Sequence, residues 1–197
     1  MLARSAQLCQ TNETVHRDRG VSSRFCSEPP RRRREGNLIM EEPNGTEEHL
    51  EKITIELHDD QFGTESLWAE PLGEGFYRLR NVPILAFGYS EQDVVSTDEV
   101  DGRRVVTGVS QPGGHSTYRL FLPGALDDAR FGKLFEPLSQ LGCTYERANA
   151  RVFGVDVPPG ADVYAAYTLL EPGEEAKQWS FEEGHCGHPL RPQAGDL

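Results

Sequence analysis

The sequence predicts an α+β fold, with a small antiparallel β-barrel-like half followed by a ferredoxin-like βαββαβ half. Three observations carry this. Between residues 53 and 109, short runs alternate apolar and polar side chains, and no run at helical spacing interrupts them. After Pro112-Gly113-Gly114 the pattern becomes strand, helix, hairpin, helix, strand. The link at Ala148–Ala150 is too short for a parallel crossover, which excludes a doubly wound sheet.

In chain order, Ile53, Ile55 and Leu57 alternate with Thr54 and Glu56, the period of a half-buried strand. Ser66–Glu70, Phe76–Arg80, Asp93–Ser96 and Arg104–Val109 read the same way. Gly73-Glu74-Gly75 and Asp101-Gly102 supply the turns, the second a hairpin signal. Short strands this closely spaced suit a small barrel or a strongly curled sheet. Thr117–Leu122 is a further strand. Leu126, Phe131, Leu134, Phe135, Leu138 and Leu141 then recur at helical spacing, with Asp127 or Asp128 as cap and Gly142 as stop. Pro137 inside that run predicts a kink or a late start. Cys143–Arg147 and Arg151–Val157 form a hairpin closed by Pro158-Pro159-Gly160. A second helix carries Val163, Ala166, Tyr167 and Leu170 on one face with Asp162 near its start, and the last strand runs from Trp179 to Glu183. The organisation expected is therefore a disordered leader over 1–39, a flexible acidic segment over 40–52, a barrel-like half over 53–112, a ferredoxin-like half over 113–184 and a flexible tail over 185–197.

The chain has 197 residues, 37% hydrophobic and 26% charged, a balance that suits a well-solvated globule. It contains no run of about 18 apolar residues, and its first residues lack an apolar signal region. Its four cysteines, Cys9, Cys26, Cys143 and Cys186, form no Cys-x-x-Cys pair, so a reducing cytoplasm is the expected compartment. The net charge of −12 is uneven: residues 1–39 hold eight Arg and four acids, whereas residues 40–197 hold twelve basic and twenty-eight acidic side chains. A body so acidic repels phosphate backbones and favours basic partners, so nucleic acid and membrane are not expected as partners of 40–197. Arg31–Arg34 would be a basic arm for nucleic acid only if the leader is translated. Arg34-Glu35-Gly36 can be encoded by codons containing a purine-rich ribosome-binding sequence, which sets Met40 as the expected start.

Ser66-Leu67-Trp68-Ala69, Phe76 to Pro83, Gly88-Tyr89 with Asp93-Val94-Val95, Gly114 to Arg119, and Val155 to Pro159 occur in an order that resembles the bacterial "domain of unknown function 4265" family. The likeness spans roughly residues 53–183 and includes Trp68, Asn81, Pro83, Asp93 and Gly114 as motif positions. Ile84-Leu85 stand where that family tends to place aromatic residues. The resemblance implies a bacterial cytoplasmic protein and no established activity.

No phosphate-binding loop, dinucleotide fingerprint or Gly-x-Ser-x-Gly elbow is present. His115 and Ser116 are sequence neighbours on a strand and face opposite ways, a poor nucleophile–base pair. His185-Cys186-Gly187-His188 offers zinc-ligand types, and antiparallel pairing of the first and last strands of the second half brings His115 near that segment. Cys143 opens an edge strand roughly 14 Å away and joins neither a metal set nor a disulfide with Cys186. Asn81 is expected to bond local backbone, Asp93 to cap a loop, and Trp68, Tyr118 and Trp179 to pack. Arg119 on a central strand needs a carboxylate, and Asp156 on the neighbouring strand is the expected structural partner, with anion binding as the alternative. The function expected is a non-enzymatic protein-interaction module without a cofactor, one concrete form being neutralisation of a basic toxin. The alternative is a metal sensor or small metal-dependent enzyme holding zinc on His115, His185, Cys186 and His188. N-terminal mass spectrometry of the protein from its native host tests the start: Met40 is expected, and a peptide spanning Arg24 to Glu35 overturns it.

Overall fold

Alternating side chains bury one face of each strand only if the strands close on something, and here the first five close on one another. The computed structural model describes residues 49–57 and 63–189; the expected leader, most of the acidic segment and the tail beyond residue 189 lie outside the described residues. The strands are β1 (Glu51–Glu56), β2 (Thr64–Gly73), β3 (Phe76–Leu79), β4 (Val94–Val100) and β5 (Arg103–Gln111). They pair antiparallel in sequence order, and β5 returns to β1 through a parallel contact between Thr54 and Val105 that completes a closed barrel. The alternation delivers Ile53, Ile55, Leu67, Ala69, Tyr77, Leu79, Val95 and Val106 to the interior. Both expected turns form, with positive φ at Gly73, Glu74 and Gly75 and at Asp101 and Gly102. β1 begins at Glu51, inside the segment expected to be flexible. β4 runs on to Val100 because its last residues pair with β5 although they are exposed, so no apolar alternation marks them.

The second half contains β6 (Ser116–Phe121), α1 (Asp128–Gln140), β7 (Thr144–Arg147), β8 (Val152–Val157), α2 (Val163–Glu175) and β9 (Ser180–His185). The strands form one antiparallel sheet in the order β7-β8-β6-β9. The chain is thus α+β, with two sheets and two helices among the described residues. Asp127 caps α1 by accepting from the Arg130 amide (2.8 Å), and Asp162 caps α2 by accepting from Tyr164 and Ala165. α1 does not start late: its cap holds the first turn, and Pro137 lies within the helix near its end. At Gly142 (φ 89°) the helix stops, with the Cys143 amide returning to the Leu138 carbonyl.

Helices cover one face of this sheet. Phe131 stacks on Phe153 with ring centres 3.8 Å apart, and Tyr145 meets Phe131 and Phe135 edge-on. The opposite face is covered by the segment 80–93 that joins β3 to β4. A Cβ on Gly154 would lie 2.8 Å from side-chain carbons of both Val82 and Ile84, so that segment presses on the centre of β8. Every residue of β8 is buried as a result.

Gly173 on α2 lies against the indole of Trp179, whose Nε1 donates to the Leu170 carbonyl (3.1 Å). A methyl group at 173 would displace a rigid indole. Overpacking of this kind costs about 1–3 kcal/mol, against a helix-propensity gain of about 1 kcal/mol for Gly→Ala. Gly173→Ala is therefore expected to lower the urea midpoint, and an unchanged or raised midpoint would show that the ring yields freely.

Candidate functional site

Segment 80–93 is not a strand, so its polar groups need partners other than a ladder. Asn81 Oδ1 accepts from the Trp68 amide on β2 (2.7 Å), a bond across the barrel wall and not the local turn expected. The reason is burial: Asn81 lies inside, where the β2 backbone presents a donor. Asp93 does cap the loop, accepting from the Ser90 amide (2.8 Å). Its other oxygen accepts from the Gly113 amide (2.7 Å), which ties the loop to the link between the halves. Gly113 is pressed so close to Gln92 that a Cβ would lie 2.7 Å from the Gln92 carbonyl carbon. Ser90 Oγ and Thr117 Oγ1 then share a hydrogen bond (2.9 Å) across the seam to β6.

At the centre of the seam lie two buried charges. Glu65, Leu67 and Ala69 share the inward face of β2, so the Glu65 carboxylate points into the protein. Its oxygens accept from the amides of Ile84 (2.8 Å), Leu85 (3.0 Å) and Ala86 (2.7 Å). On the other side of the same peptides, Arg119 Nη1 donates to the carbonyls of Ile84 (3.0 Å) and Leu85 (3.4 Å), and Nη2 pairs with Glu182 (2.8 Å). The Phe87 ring covers the guanidinium at 3.7 Å and is itself 51% exposed. Burial pushes the Glu65 carboxyl above the ordinary carboxylate range, opposed by the three amides and by the Arg119 charge. Burial lowers Arg119, opposed by Glu182 and, less, by Glu65.

The expected Arg119–Asp156 pair does not form. Register decides it: Glu182 stands directly across from Arg119, whereas β8 presents Gly154 there and sets Asp156 opposite Thr117. Asp156 instead accepts from His115 Nδ1 (2.7 Å). A carboxylate only accepts, so Nδ1 carries a proton at this contact, on a side chain 14% exposed.

The expected approach of His115 to the end of the last strand is present, with Thr117 paired to His185. Residues 185–188, the start of the segment expected to be a flexible tail, make contacts with the second half. Ser116 Oγ accepts from the Gly187 amide (3.0 Å) and bonds His188 Nδ1 (2.7 Å), while His188 Nε2 donates to the Pro158 carbonyl (3.1 Å). Cys186 Sγ faces the His188 carbonyl (3.8 Å). Both ring nitrogens of His188 and one of His115 are thus engaged by groups that are not metal ligands to a common centre. Among the described residues no three His, Cys, Asp or Glu side chains group to hold a metal, so His115, His185, Cys186 and His188 are neighbours without forming the zinc set. Ser116 is 1% exposed, and its hydroxyl anchors the returning chain at Gly187 and His188.

The remaining motif positions serve the same seam or its borders. Pro83 is buried beside Asn81. Gly114 adopts φ 78° with Pro159 against it, a conformation that favours glycine. Trp68 is half-buried under the Lys52 ammonium (5.0 Å), and Trp179 is buried in the helical layer.

The model of one family, described as a domain of unknown function (DUF4265), matches residues 65–181, from the seam carboxylate on β2 to β9. The chain belongs to the DUF4265 family. No curated protein matches it. Among solved structures it is similar to a hypothetical protein from Neisseria gonorrhoeae at 17% identity and a TM-score of 0.62, covering 72% of this chain and 98% of that one. That likeness concerns the fold alone, and its extent exceeds what either half of this DUF4265 chain supplies.

Glu65 was not singled out by sequence reasoning, although a signal existed. Strict alternation with Leu67 and Ala69 places a carboxylate on the apolar face of a strand, which requires donors.

Removing one partner of a buried ionic network leaves the other uncompensated, at about 3–5 kcal/mol. Arg119→Ala is expected to lose that much in urea denaturation; a loss under about 1 kcal/mol would show the network to be dispensable. The two described cysteines differ more sharply. Burial, and then the Asp156 charge, push the Cys143 thiol up to about 12. At pH 8 its thiolate fraction is then roughly one part in ten thousand. Iodoacetamide mapped by peptide mass spectrometry is expected to label Cys186 well before Cys143, and equal rates would contradict the buried placement.

Proposed function

We propose that this chain is a non-enzymatic protein-interaction module. The observation that carries the reading is charge: twenty-eight acidic against twelve basic side chains over residues 40–197, a surface that attracts basic proteins. The seam geometry supports it. Glu65, Arg119, Asp156, His115, Ser116 and His188 are the side chains best suited to chemistry, and each is engaged in joining one part of the fold to another. On this reading the barrel-like half and the ferredoxin-like half together form a rigid platform in the bacterial cytoplasm, and the partner is a protein with a basic face. Neutralisation of a basic toxin is one concrete form.

The test is co-purification of the full chain from its native host, read by mass spectrometry at low and at high salt. A stoichiometric basic partner that is lost at high salt is expected. A protein recovered without a stoichiometric partner at either salt overturns the reading.

A further inference from the structure

The sheet of the second half has two edges. β7 is one, four residues long; β9 is the other, six residues long and paired only with β6 among the described residues. At one end of β9 the edge is closed, because the Gly88 amide donates to the Gly184 carbonyl (3.1 Å). From Ser180 to Glu183 no strand lies beyond it among the described residues. A strand edge of this kind presents backbone donors and acceptors in register for an added strand.

The surroundings of that edge are acidic. Tyr167 of α2 packs edge-on against Phe181 of β9 at 5.4 Å, which fixes the side of α2 that borders the edge. Glu171 and Glu174 lie four and seven residues further along the helix and so share that side. From Glu171 to Glu183 the sequence holds five acids and one basic residue, Lys177. On the opposite face the Glu182 side chain is 44% exposed beyond its contact with Arg119, and the exposed ring of Phe87 lies on the same guanidinium. Pairing of β9 with β9 of a second copy would bring Glu182 and Glu183 of both chains together, which disfavours self-association there.

We infer that the Ser180–Glu183 edge of β9 is a strand-addition site for an extended peptide segment of a partner protein, bearing Lys or Arg at the alternate positions that face α2. This rests on the interaction reading and names its surface. Backbone pairing would hold the segment, and Glu171 and Glu174 would select its charge.

The probe is a short acetylated peptide of alternating Lys and Val, added to the full chain, with backbone hydrogen exchange read by mass spectrometry. Exchange over Ser180–Glu183 is expected to slow by at least about tenfold. The matching Glu-Val peptide is expected to leave it unchanged, and the double variant Glu171→Lys, Glu174→Lys is expected to lose the protection while exchange elsewhere stays as in the wild type. Protection at Thr144–Arg147 instead, protection nowhere, or protection that rises with protein concentration in the absence of peptide overturns the proposal. A host partner that co-purifies equally with the wild type and the double variant also overturns it, while leaving the interaction reading standing; a partner absent from both removes that reading first.

Discussion

The fold depends on how two buried charged groups are kept apart by the peptides between them, with Arg119 Nε left without a hydrogen bond among the described residues. Two consecutive peptide units, Ile84–Leu85 and Leu85–Ala86, stand between the Glu65 carboxylate and the Arg119 guanidinium. Each points its N–H at the anion and its C=O at the cation. Without the loop, both charges would lie in a low-dielectric interior with too few partners; without the charges, a non-strand segment would bury unsatisfied backbone. Each group solves the other's problem, and together they join β2 of the barrel to β6 of the sheet.

Several local choices follow from that arrangement. Gly154 must lack a side chain because Val82 and Ile84 press on β8. Gly113 must lack one because the link between the halves runs against Gln92. Ser90 and Asp93 hold the far end of the loop to Thr117 and Gly113, and the second half starts from that anchor. A buried ionic network is weak evidence for added stability compared with an apolar seam of the same shape, but it permits few alternative registers. A one-residue slip of β6 would take Arg119 away from both carbonyls and from Glu182.

The same economy bears on function. Histidines and a serine that look reactive in one dimension act here as fasteners: Asp156 holds His115, and Ser116 holds the returning chain at Gly187 and His188. Around one sheet edge lie Glu174 and Glu182, both exposed, and the half-buried Glu171.

The elements were legible because periodicity is local. Alternation over residues 53–109 and helical spacing over 126–141 and 163–170 depend only on which face of each element must leave water, and the caps at Asp127 and Asp162 depend only on the first turn. The turns at Gly73-Glu74-Gly75 and Asp101-Gly102 were legible for the same reason. Partnership was not. Asp156 and Glu182 are equally plausible carboxylates for Arg119 in one dimension, and only strand register, a property of two distant segments meeting, sets Glu182 across from it and leaves Asp156 to His115. Likewise Asn81 bonds Trp68 and not its own turn, and His188 serves a hydroxyl and a carbonyl, because burial and neighbours decide how a polar group is used. By itself the sequence determined class, elements and charge; the tertiary structure alone decided which polar side chains meet.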